Sequence, residues 1–235
     1  MTTITTTQSQ SIPASRCFVW FKQGWQLMRQ APFKIFLVLL LPLVMEGLFQ
    51  LLPAPYSIVF SKWAMALMVA AIWPILHHLA TKQSFSLRAI KCKGWGKMLV
   101  LALLLLLPSV VQLWTAIALL GEDGIGLLLY AQLVEVSALQ LGLIFASATP
   151  LILLLGFAPA RLLLANDSLS LAIRSSIQVV VSAWRPMLLL ALVHMIILLL
   201  VPLTFLLSAL LTGPWLACVS YQAYSDLFNQ NKDRA

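Results

Sequence analysis

Residues 98–120 read MLVLALLLLLPSVVQLWTAIALL, with no formal charge between Lys97 and Glu122. A helix of about 20 predominantly apolar residues crosses a hydrocarbon core of about 30 Å, so this stretch predicts a membrane-spanning helix. Five similar runs flank it, at about Ile35–Leu52, Trp63–Ala80, Val136–Pro159, Pro186–Leu207 and Ser208–Tyr224. The first ends at the Pro53-Ala54-Pro55 turn, and the Met98–Leu120 run stops at Gly121-Glu122-Asp123-Gly124. The fold class expected is therefore an all-α, polytopic membrane helix bundle of six spans, filling residues 16–228. Polar tails at 1–15, expected to be disordered, and 229–235 flank it.

Composition agrees. The 235 residues are 61% hydrophobic and 9% charged, whereas soluble domains carry about 25% charged residues. Such a chain cannot hide its apolar surface from water.

Fourteen of the fifteen Lys and Arg residues fall on one side of the six-span alternation. They precede the first span (Arg16, Lys22, Arg29, Lys34), separate the second and third (Lys82, Arg88, Lys91, Lys93, Lys97) and separate the fourth and fifth (Arg161, Arg174, Arg185). Lys232 and Arg234 follow the sixth. The opposite side holds Lys62, with Glu122 and Asp123. Short Lys/Arg-rich loops stay in the cytoplasm, which places both termini there. The net charge of +8 then finds its counter-charge in the anionic inner leaflet rather than in nucleic acid. Most of the eight tryptophans lie near span ends, as an aromatic belt requires. The N-terminus has no basic residue ahead of a short apolar core, so it does not read as a cleaved signal peptide.

The fourth apolar region is too long for one crossing. From Leu127 to Ala160 it would measure about 51 Å as a helix. A helix that starts on the periplasmic surface, crosses from about Val136 and kinks at Pro150 accounts for it. A re-entrant pair of half-helices broken near Gly142 is the alternative. Short amphipathic stretches precede the odd spans, at Phe18–Arg29, Ser84–Lys91 and Ser168–Arg174. They predict three interfacial helices lying in the headgroup plane, with Ser168 or Asn166-Asp167 as a cap. The pattern reads as three copies of one unit: an interfacial helix, a descending span and a returning span.

Candidate chemistry is sparse. A charged group at mid-bilayer costs about 2.5–3.5 kcal/mol or more, which marks Glu46 in the first span. It reads as a proton or cation site, or as a hydrogen-bonded carboxyl beside Gln50 near the outer end. Glu135, Gln112 and His194 complete a possible intramembrane polar site. His77 and His78 are adjacent, so they lack the i, i+4 spacing that suits a metal. Cys17, Cys92 and Cys218 show neither paired nor metal-type spacing. No catalytic residue, metal ligand set or cofactor motif is present, and no cofactor is expected. Tyr221, Tyr224 and Phe228 form an aromatic stripe at helical spacing, with Asp226 turned elsewhere. The stripe either holds the last helix against Ser168–Ser182 or offers a surface to a membrane-protein partner.

From Gly156 onward the chain resembles a family of small, uncharacterised bacterial inner-membrane proteins. Gly156-Phe157-Ala158-Pro159, Trp184-Arg185-Pro186, Gly213-Pro214 and the Tyr-x-x-Tyr-x-Asp-x-Phe ending at Phe228 carry the resemblance. The Gly24-Trp-Gln-Leu-Met-Arg29 stretch and Pro32-Phe33 fit the family's opening. The layout is distantly similar to the membrane portions fused to some glycerophosphodiester phosphodiesterases, without their catalytic domain. The resemblance implies a six-helix bundle and a cytoplasmic helical end, and no substrate. The function expected is a non-enzymatic membrane-organising or complex-assembly subunit. A small transporter or lipid-handling protein using Glu46 is the alternative, and an enzyme acting on lipid headgroups would need several polar residues at one depth.

Overall fold

The computed structural model describes residues 12–232, with side chains as far as Phe228; the outer parts of the expected tails, 1–11 and 233–235, lie outside the described residues. Among the described residues every regular element is a helix. In chain order these are α1 (Arg16–Gln30), α2 (Pro32–Phe49), α3 (Tyr56–Ala70), α4 (Ile72–Lys82), a 3₁₀ turn (Leu87–Ile90), α5 (Trp95–Leu104), α6 (Leu107–Leu120) and α7 (Glu122–Tyr130). Then follow α8 (Ala138–Ser147), α9 (Thr149–Gly156), α10 (Ala158–Leu164), α11 (Leu169–Ser182), α12 (Trp184–Leu200) and α13 (Leu207–Lys232). Residues 229–232, expected in the C-terminal tail, prolong the last helix.

Several of these pieces run on from one another. Breaks fall just before Pro74, Pro108, Pro150 and Pro159, where the missing N–H and the ring interrupt the ladder. The α9–α10 break is repaired from outside: Ser176 on α11, fully buried, donates its hydroxyl to the Leu154 carbonyl at 2.7 Å and accepts the Phe157 N–H at 3.2 Å. With the breaks bridged, four segments are long and apolar enough to cross a membrane: Pro32–Phe49, Tyr56–Lys82, Trp95–Leu120 and Ala138–Leu164. A fifth is counted if α11 and α12, bent by 97° at Ala183, form one. Large apolar side chains such as Leu37, Leu41, Leu103, Trp114 and Ile196 face outward, as a lipid-facing surface requires.

Two expectations are corrected. The long helix from Leu127 does not form. Instead α7 folds back along α6 as a tight hairpin, with Gly121 at φ +64° in the turn. An extended link follows, and a new helix starts at Ala138 on a capping box: the Ser137 hydroxyl accepts the Gln140 backbone N–H, while the Gln140 side-chain Oε1 accepts the Ser137 backbone N–H. The second amphipathic stretch makes only the four-residue 3₁₀ turn, capped by Ser86, because the chain must turn again at Gly94. There φ is +106°, and a Cβ would stand 2.5 Å from the Leu162 carbonyl oxygen, a site open only to glycine. The first and third stretches are helices of 15 and 14 residues, and Ser168 caps the third.

The buried stripe of α1 is Cys17, Trp20, Gly24 and Leu27, a helical 3–4 spacing. It packs on α13, so protein rather than lipid covers that face. Backbones approach closely where Gly24 meets Val219; a Cβ there would lie 2.8 Å from the Val219 backbone nitrogen and Cα. Around α13 stand α1, α2, α4 and α12. The buried core between them includes Trp20, Ile35, Trp73, Leu76, Leu190, Val219 and Tyr221.

Gly24→Val should lower the unfolding midpoint in detergent, read by tryptophan fluorescence, by the equivalent of about 1–3 kcal/mol for an overpacked contact. Gly47→Ala, where nothing lies within 4 Å of the added Cβ, should leave the midpoint unchanged or slightly raised. Equal effects at the two positions would contradict the close α1–α13 approach.

Candidate functional site

Glu46 sits on α2 and is 8% exposed. It is paired: the Lys62 ammonium, from α3 across the Pro53-Ala54-Pro55 turn, donates directly to its Oε1. Gln50, one turn on, donates to the same oxygen at 3.4 Å. The acid in the first span and the one basic residue assigned to the far side thus neutralise each other. The hydrogen-bonded reading of Glu46 matches this geometry.

Lys62 also faces a cleft of about 210 Å³ between α3, α6, α7 and α8. Its walls are aliphatic, with Phe145 at one side, and its polar groups besides Lys62 are Ser109 and Gln112. Gln112 donates to the Phe145 carbonyl at 3.3 Å, tying α6 to α8. Glu135 lies on the exposed link before α8. His194 Nδ1 is 2.8 Å from the Leu190 carbonyl of its own helix. Of the four residues flagged from sequence, the structure brings Gln112 to the cleft and Glu46 behind it, through Lys62; Glu135 and His194 do not line that space.

A second polar space lies at the end of the bundle that gathers the C-termini of α4, α10 and α13. Its cavity of about 580 Å³ is lined by His77, Thr81, Arg161, Tyr221, Tyr224 and Ser225, with Leu164, Ala165 and Phe228. His77 Nδ1 meets the Tyr221 hydroxyl at 3.1 Å. Arg161 Nε donates to Asp167 Oδ2 at 2.7 Å and Nη2 contacts the same oxygen at 2.5 Å, while its guanidinium lies 4.8 Å from the Phe228 ring centre. Tyr224 and Phe228 pack at 4.8 Å, and Trp73 and Phe157 close round them. The stripe expected to serve a partner or hold Ser168–Ser182 is instead turned inward: Tyr221 is 3% and Tyr224 9% exposed. They pack against α4 and α10.

Asp226 faces the other way. Arg16 grips both its carboxylate oxygens at 2.6 and 2.5 Å, and Trp20 Nε1 donates to Oδ2 at 2.8 Å. The Arg16 guanidinium's own hydrogen bonding to Asp226 holds its pKa above the ordinary value. Burial pushes the neighbouring Cys17 thiol up to about 11, so it stays protonated at neutral pH. Among the described residues no three His, Cys, Asp or Glu side chains converge as a metal would need.

Sequence reasoning missed Lys62, Thr81, Arg161, Asp167 and Ser225. The Glu46–Lys62 pair had a signal, since an acid and a base at comparable distances from a helical hairpin turn face each other. The six-residue pocket had none, because its members come from three distant segments. Compared with protein-family models, curated proteins and solved structures, the chain matches none.

Glu46→Gln should leave Lys62 without its carboxylate and lower the unfolding midpoint by the equivalent of about 1–3 kcal/mol. Glu46→Gln combined with Lys62→Met should recover most of that loss. A single variant as stable as wild type would show that the pair carries no stability.

Proposed function

We propose that the protein is a non-enzymatic, six-span bacterial inner-membrane protein that organises anionic lipid at the cytoplasmic leaflet, with both termini in the cytoplasm. One observation carries this reading. Asp167 and Asp226, the acids among the described residues at the basic end, are already taken by Arg161 and Arg16. Lys22, Lys34, Lys82, Arg88, Lys91, Lys93 and Arg174 have no carboxylate partner among the described residues. Uncompensated cations at one end of an apolar bundle are attracted to anionic headgroups by about 1 kcal/mol each.

Six crossings fit the two remaining helices. Seventeen residues of α12 span about 26 Å at 1.5 Å per residue, near the thickness of the hydrocarbon core. Helix α13 is less apolar because α1, α2, α4 and α12 pack against it, so its polar half need not meet lipid. The 97° bend at Ala183 supports α11 lying in the headgroup plane when α12 crosses. The resemblance to bacterial inner-membrane proteins points the same way. The Lys62-lined cleft supports a lipid-handling variant of the same role.

Purification in mild detergent should recover anionic phospholipid enriched over its share of the source membrane. Replacing Lys82, Lys91 and Lys93 together with Gln should reduce that enrichment severalfold. Lipid recovered in bulk-membrane proportions, unchanged by the substitutions, would refute the reading.

A further inference from the structure

We infer that the pocket formed by His77, Thr81, Arg161, Tyr221, Tyr224 and Ser225 is a binding site for a phosphate monoester. The inference goes beyond the proposed role, which concerns surface cations and does not require this pocket. Its lining combines one guanidinium, one imidazole and four hydroxyls, with no carboxylate among the lining residues. Those groups come from α4, α10 and α13 and converge from different directions. Thr81 already donates to the His77 carbonyl at 2.8 Å, which leaves Arg161, the His77–Tyr221 pair and Tyr224 as the groups that a tetrahedral anion with several acceptor oxygens can meet at once, whereas a planar carboxylate offers two oxygens in one plane.

Charge and space agree with that assignment. Asp167 holds Arg161 along its Nε–Nη2 edge, so Nη1 points away from that carboxylate. Charge-assisted hydrogen bonds from Arg to phosphate are stronger than neutral ones. Asp226, the other acid of this end, is engaged by Arg16 and Trp20. The cavity of about 580 Å³ exceeds what a phosphate group fills and leaves room for the alcohol it esterifies, against the Tyr224–Phe228 wall. Hydroxyls at this depth are held in place by packing: Tyr221 sits on His77, and Tyr224 lies within the aromatic cluster.

The phosphate has two possible sources, a lipid headgroup or a soluble ester, and the chemistry of the pocket suits both. The full chain in detergent should be titrated with dioleoyl phosphatidic acid, with phosphatidylcholine as reference, and separately with glycerol 3-phosphate, binding being read by thermal shift and by native mass spectrometry. Phosphatidic acid should bind in preference to phosphatidylcholine if the source is lipid; glycerol 3-phosphate should bind if it is soluble. Arg161→Gln should weaken binding by about tenfold or more, as loss of a charge-assisted contact requires. Tyr221→Phe with Tyr224→Phe, which removes two hydroxyls at nearly constant volume, tests the site even if Arg161→Gln fails to fold, and should weaken binding severalfold. Gly47→Ala, outside both the pocket and the basic segments and with nothing within 4 Å of the added Cβ, should bind as wild type. Binding of neither probe, or equal binding by wild type and the Tyr221/Tyr224 variant, would overturn the site. Bulk enrichment of anionic lipid that persists in that variant would leave the surface reading standing while removing the pocket.

Discussion

The clasp of Arg16 and Trp20 on Asp226 joins the first helix of the chain to the last, and the rest of the bundle is arranged around that closure. Asp226 is a carboxylate inside a helix that other helices pack against, a costly placement unless it is paired and hydrogen-bonded. Three donor contacts from α1 meet that demand. They are available because Gly24 lets the α1 backbone press against Val219. With α1 fixed, its Cys17–Leu27 stripe covers one side of α13, and the other sides receive α2, α4 and α12. The polar half of α13 is thereby kept from lipid.

The same economy of acids shapes both ends of the molecule. Glu46 answers Lys62, Asp167 answers Arg161 and Asp226 answers Arg16. Each pair spans two helices or closes a helix cap, so each is spent on architecture. Among the described residues, Lys22, Lys34, Lys82, Arg88, Lys91, Lys93 and Arg174 are left without a carboxylate, as Glu122, Asp123 and Glu135 are left without a cation. The proposed role rests on those cations, and the pocket of His77, Arg161, Tyr221 and Tyr224 offers further groups suited to phosphate oxygen.

Much of the fold was legible in the sequence, and the reason is physical. Long apolar runs have one low-energy form in a bilayer, a helix with its backbone bonds made internally. The runs at Pro32–Phe49, Tyr56–Lys82, Trp95–Leu120 and Ala138–Leu164 therefore appear where hydropathy put them. The α7 hairpin was not legible in that way, since Leu127–Tyr130 is as apolar as the span that follows. The capping box at Ser137 and Gln140 was the available signal. The Ser84–Lys91 stretch carries the composition of an amphipathic helix, yet a tertiary demand, the close passage of Gly94 over Leu162, ends it after one turn. Of the site, Glu46, Gln112, Tyr221 and Tyr224 were visible as polar or aromatic exceptions on apolar helices. Lys62 could be placed opposite Glu46 from their like distances to the Pro53-Ala54-Pro55 turn, but Arg161 and Thr81 come from segments distant in sequence and meet Tyr221 and Tyr224 only when the helices are packed.

A double-mutant cycle over Arg16→Met and Asp226→Leu, scored by unfolding midpoints in detergent, reaches the closure of the bundle most directly. Strong non-additivity is expected: each single change strands a partner, and the double change costs clearly less than the sum of the two. Simple additivity would mean that the first and last helices are held by something other than this clasp.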